Sequence, residues 1–245
     1  LAIVGSRKRT PYGRAVTSKL SVELAGKGVV IVSGLALVVD SIAHSAALQA
    51  RGTTIAVLPA GLDKIYPASH AQLARRIMGG GGLLVSEYPE RTEPMKQNFI
   101  ARNRIIASLS DGVLITEAAV ASGSLHTARF ALELGLPVLA VPGPITSATR
   151  EGTNNLIKAG AVPVTSAEDI ISALDWQLTN EPAKDIQAAT EPERLIFELI
   201  NNGLSVGHAI LYKIGLDPAA YNQALTMLEI TGRIRPLGNN YWALS

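Results

Sequence analysis

The opening stretch LAIVGSRKRTPYGRAVTSKLSVELAGKGVVIVSG (residues 1–34) decides the fold. An apolar run at 2–5 leads into an amphipathic stretch at 12–26 and then a second apolar run at 28–33. That order predicts a strand, a crossover helix and a parallel strand. The alternation continues outward, with strands expected at 53–59, 83–86, 112–117, 137–142 and 161–165. Helices are expected between them at 39–51, 68–79, 99–109, 124–135 and 153–159. The strand candidates are continuously apolar, so both sheet faces should be covered. The fold class is therefore α/β: an extended Rossmann-like, mostly parallel sheet with helices on both faces, occupying residues 1–175. Ligands of such sheets sit beyond the carboxyl ends of the strands, so the loops after the strands are where chemistry is sought.

Composition narrows the functional classes. Hydrophobic residues make up 47% of the 245 and charged residues 17%, which supplies a core and excludes wholesale disorder. Aromatic residues reach only 4%, so an aliphatic α/β interior is favoured over a β-sandwich. With no cysteine, disulfides, thiolate nucleophiles and cysteine-based zinc sites are excluded. No long apolar run or export signal is found, and a soluble, cytoplasmic protein without a membrane partner is expected. The chain opens on Leu1-Ala2-Ile3-Val4 without an initiator Met, so further residues are expected ahead of it.

Net charge is only +2, but it is unevenly placed. Residues 1–175 hold 17 Lys and Arg against 13 Asp and Glu, a surplus of four, whereas 176–245 hold 5 against 7, a deficit of two. The cations gather at Arg7, Lys8, Arg9, Arg14 and Lys19, and again at Arg91, Lys96, Arg102 and Arg104. Two basic clusters on the large segment point to a polyanion partner. Residues 176–190 lose the apolar rhythm and read as a linker. Beyond it, 191–245 offers helices at 192–202, 205–214 and 217–231 and a hairpin around Gly238-Asn239-Asn240, the outline of a winged helix. The third of these helices carries Asp217 and Glu229 but no Lys or Arg, so this segment is expected to contact protein rather than duplex DNA. Only Arg233 and Arg235 on the wing are placed for phosphate.

Several loops could carry chemistry. Gly5-Ser6-Arg7 after the first strand suits an anion, through close backbone approach and a guanidinium, or is simply a basic surface turn. It is not the G-x-G-x-x-G dinucleotide fingerprint. Ser122-Gly123-Ser124 opens a helix, where its hydroxyls either cap that helix or hold a phosphate. Glu117, just ahead of that loop, is placed either to catalyse or to orient loop amides. In Lys96-Gln97-Asn98-Phe99-Ile100-Ala101-Arg102-Asn103-Arg104, charge, an amide and one aromatic ring are interleaved as sequence-tolerant single-strand binding requires. Phe99 equally well opens a helix as a core residue. Asp40 and His44, one helical turn apart, suit a packing pair; neither a metal site nor a cofactor site emerges from the spacing of the histidines. Gly79-Gly80-Gly81-Gly82 lacks the Lys and hydroxyl of a P-loop.

Taken together the segments resemble one family, the DprA (Smf) DNA-processing proteins of bacterial natural transformation. The resemblance rests on A-I-V-G-S-R (2–7), S-G-L-A (33–36), D-x-x-A-H (40–44), A-V-L-P-A-G-L-D-x-x-Y-P (56–67) and L-x-S-E-Y-P (84–89). It continues through N-F-x-x-R-N-R-I-I-A-x-L-S (98–110), T-E-A-A-x-x-S-G-S-L-x-T-A (116–128), V-P-G-P (141–144) and G-T-N-x-L-I-x-x-G-A (152–161). It implies a homodimer that binds and protects incoming single-stranded DNA and loads the RecA recombinase, with a winged-helix domain at the C-terminus and a helical domain ahead of Leu1. It places phosphate binding on Gly5, Ser6 and Arg7, the lysine and aromatic of its K-x-N-F segment on Lys96 and Phe99 with Asn98 between, and further DNA contacts on Arg102, Asn103, Arg104, Ser122, Gly123 and Ser124. Where the family usually reads Arg-Gly, this chain has Leu37-Val38, which predicts weaker or altered DNA binding. The expected function is thus binding rather than catalysis. The alternative is a nucleotide-processing enzyme of the phosphoribohydrolase type, built around Glu117. Helix 153–159 and strand 161–165 are the expected dimer elements.

Overall fold

A computed structural model of the chain describes residues 1–6, 8, 10–177, 190–231, 233–238 and 240–244. Most of the expected linker at 176–190 lies outside the described residues. Contacts divide the chain into two units, 1–180 and 181–245.

In the first unit, β1 (Ala2–Val4), α1 (Pro11–Gly26), β2 (Ile31–Ser33), α2 (Val39–Gln49), β3 (Thr54–Val57), α3 (Ala71–Gly79) and β4 (Leu83–Val85) come first. After them come α4 (Lys96–Ser108), β5 (Val113–Ile115), α5 (Ser124–Glu133), β6 (Val138–Ala140), α6 (Glu151–Lys158), β7 (Val162–Pro163) and α7 (Ala167–Ala173). The seven strands pair in parallel in the order β4-β3-β2-β1-β5-β6-β7. Each strand is shorter than its run in the sequence, and flanking residues such as Leu58, Val141 and Val164 turn into the loops while still packing in the core.

Period-two alternation sends successive strand residues to opposite faces. Leu1 and Ile3 pack with Leu20 and Leu24 of α1 and Ala43 and Ala47 of α2; Ala2 and Val4 pack on the other face with Ile106 of α4 and Ala128 and Ala131 of α5. Both faces of β1 are consequently buried, as the unbroken apolar reading requires. Among the described residues no helix is long and apolar enough to cross a membrane.

The second unit has its own core. Here α8 (Glu191–Asn201), α9 (Gly207–Ile214) and α10 (Pro218–Ile230) precede the antiparallel hairpin β8 (Ile234–Gly238) and β9 (Tyr241–Leu244). Ile196, Ile200, Ile210, Leu225, Leu228 and Ile234 bury against one another. Asp217 caps α10 by accepting from the Ala220 amide at 3.2 Å, with Pro218 in the first helical position. This is the winged-helix-like outline expected for the segment.

Candidate functional site

The strand order reverses direction between β1 and β5, and their carboxyl ends open a crevice there. Three loops meet at it. The Ser6 amide donates to the Glu117 carbonyl at 2.7 Å, tying the β1–α1 loop to the β5–α5 loop. The Gly152 amide of α6 donates to the Ala118 carbonyl at 2.8 Å, adding the segment after β6.

Beneath these loops lies a buried ion pair. Glu117 Oε1 stands 3.1 Å from Arg150 Nη2, and neither side chain is more than 2% exposed. Thr10 Oγ1 lies 2.8 and 2.7 Å from the two carboxylate oxygens, donating to the carboxylate while it accepts from the Gly13 amide at 3.0 Å as the N-cap of α1. Arg150 also donates to the Thr116 carbonyl at 3.3 Å, and its guanidinium lies 3.9 Å from the centre of the Tyr12 ring. Burial lowers the Arg150 pKa, opposed by Glu117 and then by Tyr12; the guanidinium remains a cation. Gly13 is required here for space, since a Cβ would fall 2.1 Å from Glu117 Oε2. Of the two roles open to Glu117, the geometry therefore favours orienting the loops.

The expected site residues divide by how they are held. Gly5 is half-buried, and a Cβ on it would meet the Glu117 carbonyl at 2.9 Å. Ser6 is buried, and its hydroxyl accepts from the Lys8 amide at 2.9 Å. Arg7 lies outside the described residues. Ser122 Oγ and Ser124 Oγ bond each other at 2.8 Å, around an exposed Gly123.

Along α4, Lys96 is exposed and has no ion-pair partner among the described residues. Asn98 is buried, donating to the Pro59 carbonyl at 3.2 Å. Arg102 is 2% exposed and donates through Nη1 to the carbonyls of Gly34, at 2.7 Å, and Val57. It thus joins the carboxyl ends of β2 and β3. Asn103 donates to the Gly123 carbonyl at 3.3 Å, linking α4 to the Ser122–Ser124 loop. Arg104 is exposed and paired with Glu87. Phe99 is half-buried and meets Tyr66 edge-to-face, with centroids 5.3 Å apart.

Sequence reasoning singled out neither Tyr66 nor Arg150, and neither Thr10 nor Tyr12 as a site residue. A Tyr-Pro dipeptide after a strand and a Thr-Pro helix start were the only local signals. Asp40 and His44 serve different neighbours. Asp40 Oδ2 accepts from the amides of Gly34 and Ala36 at 3.1 and 3.3 Å, and His44 Nδ1 meets Thr54 Oγ1 at 2.7 Å.

Asp40 holds the β2–α2 loop, in which Val38 adopts φ 72° and ψ −102°. A β-branched residue is strained there, whereas glycine is not. Relief of about 1–3 kcal/mol exceeds the entropy that glycine adds to the unfolded chain, about 0.5–1 kcal/mol. Val38→Gly is therefore expected to raise stability by about 1 kcal/mol. A urea midpoint at or below that of the wild type would contradict this.

Residues 1–175 match the family model described as DNA recombination-mediator protein A. Protein Smf of Escherichia coli is 51% identical over 178 residues, covering 73% of this chain and 48% of that protein. The X-ray structure of DNA processing protein A from Streptococcus pneumoniae superposes with a TM-score of 0.64 at 42% identity, over 70% of this chain and 60% of that one. A Helicobacter pylori DNA processing protein A, solved to explain its single-stranded DNA binding mode, gives 0.64 at 40% identity over 71% of this chain and 78% of its own. The chain spans about half the length of the curated Escherichia coli relative it matches.

Proposed function

Because the chain belongs to the DNA recombination-mediator protein A family, we propose that it binds single-stranded DNA, without a chemical step, and delivers it to the RecA recombinase as a homodimer. The observation that carries the binding reading is α4. Its exposed Lys96, without an ion-pair partner among the described residues, stands one turn from a Phe99 ring paired with Tyr66, and Asn103 fastens the same helix to the Ser122–Ser124 loop. Cation and aromatic together make a sequence-tolerant strand site. Lys96, Phe99, Gly123 and the Gly5–Arg7 loop would meet the strand. Asn98 and Arg102 act through the carbonyls they hold, Asn103 through the Gly123 loop, and Arg104 contacts phosphate only when released from Glu87.

RecA delivery and the homodimer follow from the family resemblance, with α6 and β7 as the proposed dimer elements. The small unit is proposed for protein contact, since α10 carries no Lys or Arg to read a groove. A phosphoribohydrolase reading would need Glu117 within reach of a nucleotide, and its side chain is 1% exposed and paired.

Titrating labelled oligo-dT and the matching duplex tests the binding reading. The single strand should bind tighter, and its log affinity should fall with log salt at a slope of about −0.7 per phosphate contacted. Lys96→Glu should weaken binding roughly tenfold or more and make the slope shallower by about one contact. Equal affinity for duplex, or an unchanged slope in Lys96→Glu, would contradict it.

A further inference from the structure

The aromatic that sequence reasoning placed on the strand path, Phe99, gives one ring to the β3 side of the sheet. A second ring stands on the other side, on a residue given no contact with the strand so far. Tyr12 lies in the first turn of α1, two residues after the N-cap that ends the β1–α1 loop. It is 45% exposed.

Its surroundings make it a fixed surface. The Arg150 guanidinium lies 3.9 Å from the ring centre and covers one face. Arg150 is itself 2% exposed, so the covered face is the inner one and the exposed area belongs to the outer face and edge. The phenol donates to the Pro142 carbonyl at 3.3 Å and pins the far end of the ring. Arg150 in turn is held by Glu117 and the Thr116 carbonyl. A ring clamped in this way loses little conformational freedom when something stacks on it, and preorganisation of that kind turns contact area into affinity. A buried cation behind the ring is a further reason for the aromatic to keep this orientation.

We propose that Tyr12 is a second base-stacking platform, receiving a nucleobase of the single strand on its outer face beside the Gly5-Ser6 turn. The inference rests on the single-strand reading above and adds a subsite to it. The ligand class is a nucleobase of any identity, since each presents a π-face. A bound strand then has a ring at each end of the crevice, Phe99 with Tyr66 near β3 and Tyr12 near β1, with the phosphate loops between them.

The experiment compares a fluorescein-labelled oligo-dT with an abasic strand of the same length and charge. Tyr12→Ala should weaken oligo-dT binding about 5- to 150-fold, the range of one lost base stack. It should leave abasic binding within about twofold, and Tyr12→Phe should behave as wild type on both strands. Equal losses on both strands would mean that the substitution only disturbs the phosphate loop, and would overturn the proposal. So would a Tyr12→Ala protein that binds oligo-dT like the wild type, although the single-strand reading would then stand. A wild type that binds neither strand would remove both. If Tyr12→Ala does not fold, Tyr12→Trp supplies the test. Its added indole emission, above that of Trp176 and Trp242, should be quenched by oligo-dT and not by the abasic strand. Unchanged emission would overturn the assignment.

Discussion

Replacing Glu117 by alanine is expected to cost about 3–5 kcal/mol of folding stability, the usual result of stranding one charge of a buried pair. Arg150 would keep its burial and its bond to the Thr116 carbonyl and lose the carboxylate 3.1 Å away. Thr10 would lose the acceptor for its hydroxyl at the same time. Glu117→Gln should cost less, because an amide oxygen can still accept from Thr10 and Arg150. The double variant Glu117→Leu/Arg150→Met should recover most of the loss, since apolar replacement of both members is often neutral or stabilising. Urea unfolding of these proteins, with the single variants Glu117→Leu and Arg150→Met added, closes the cycle. A loss below about 1 kcal/mol in Glu117→Ala would mean that water reaches the pair and that it does not brace the loops. The double variant also separates stability from positioning: it should fold well yet leave the Tyr12 ring without the cation that fixes it.

The frame of the molecule was legible because strand and helix periods differ. All seven parallel strands fall within the predicted apolar runs, and α1 to α6 overlap the predicted helices. What each residue of the basic segment does was less visible, although part of the signal was present. Asn98, Arg102 and Ile106 recur every four residues and so share one face of α4. Ile106 is fully buried, which makes that stripe the inward one and turns Asn98 and Arg102 toward backbone carbonyls. Charge drew attention away from period. The Glu117–Arg150 pair carried no such signal, because its members are distant in sequence and only the meeting of the β5 and β6 loops brings them together.

The β2–α2 loop shows the same limit from the other side. Leu37-Val38 in place of the family's Arg-Gly could be read as a lost cation. That it also keeps a glycine-like backbone at Val38 needed the dihedral angles. Leu37 is 44% exposed, so an arginine at this position would have room to reach solvent or a phosphate. In this chain the loop is held by Asp40, which accepts from the Gly34 and Ala36 amides.

Acid should weaken the same region through His44. The ring is fully buried on α2, and Thr54 Oγ1, 2.7 Å from Nδ1, donates its own proton to the Ile31 carbonyl at 2.6 Å. Nδ1 must therefore be the donor, which leaves Nε2 as a lone-pair atom with no hydrogen-bond partner among the described residues. Burial first, then the positive charge of Arg102 and then His70 push the His44 pKa down to about 3. The unfolded chain takes up this proton below about pH 6.5 and the folded chain not until about pH 3. Stability from this group is thus complete above the first value and is lost as pH falls toward the second, by more than about 1 kcal/mol per pH unit and roughly 5 kcal/mol in all. Unfolding in urea at about pH 7.5 and pH 5 checks it. Wild type should lose about 2 kcal/mol more over that interval than His44→Asn, whose amide can still donate to Thr54 but does not titrate. If both proteins lose stability in parallel, His44 titrates in the fold much as it does in the unfolded chain, and burial does not hold it neutral.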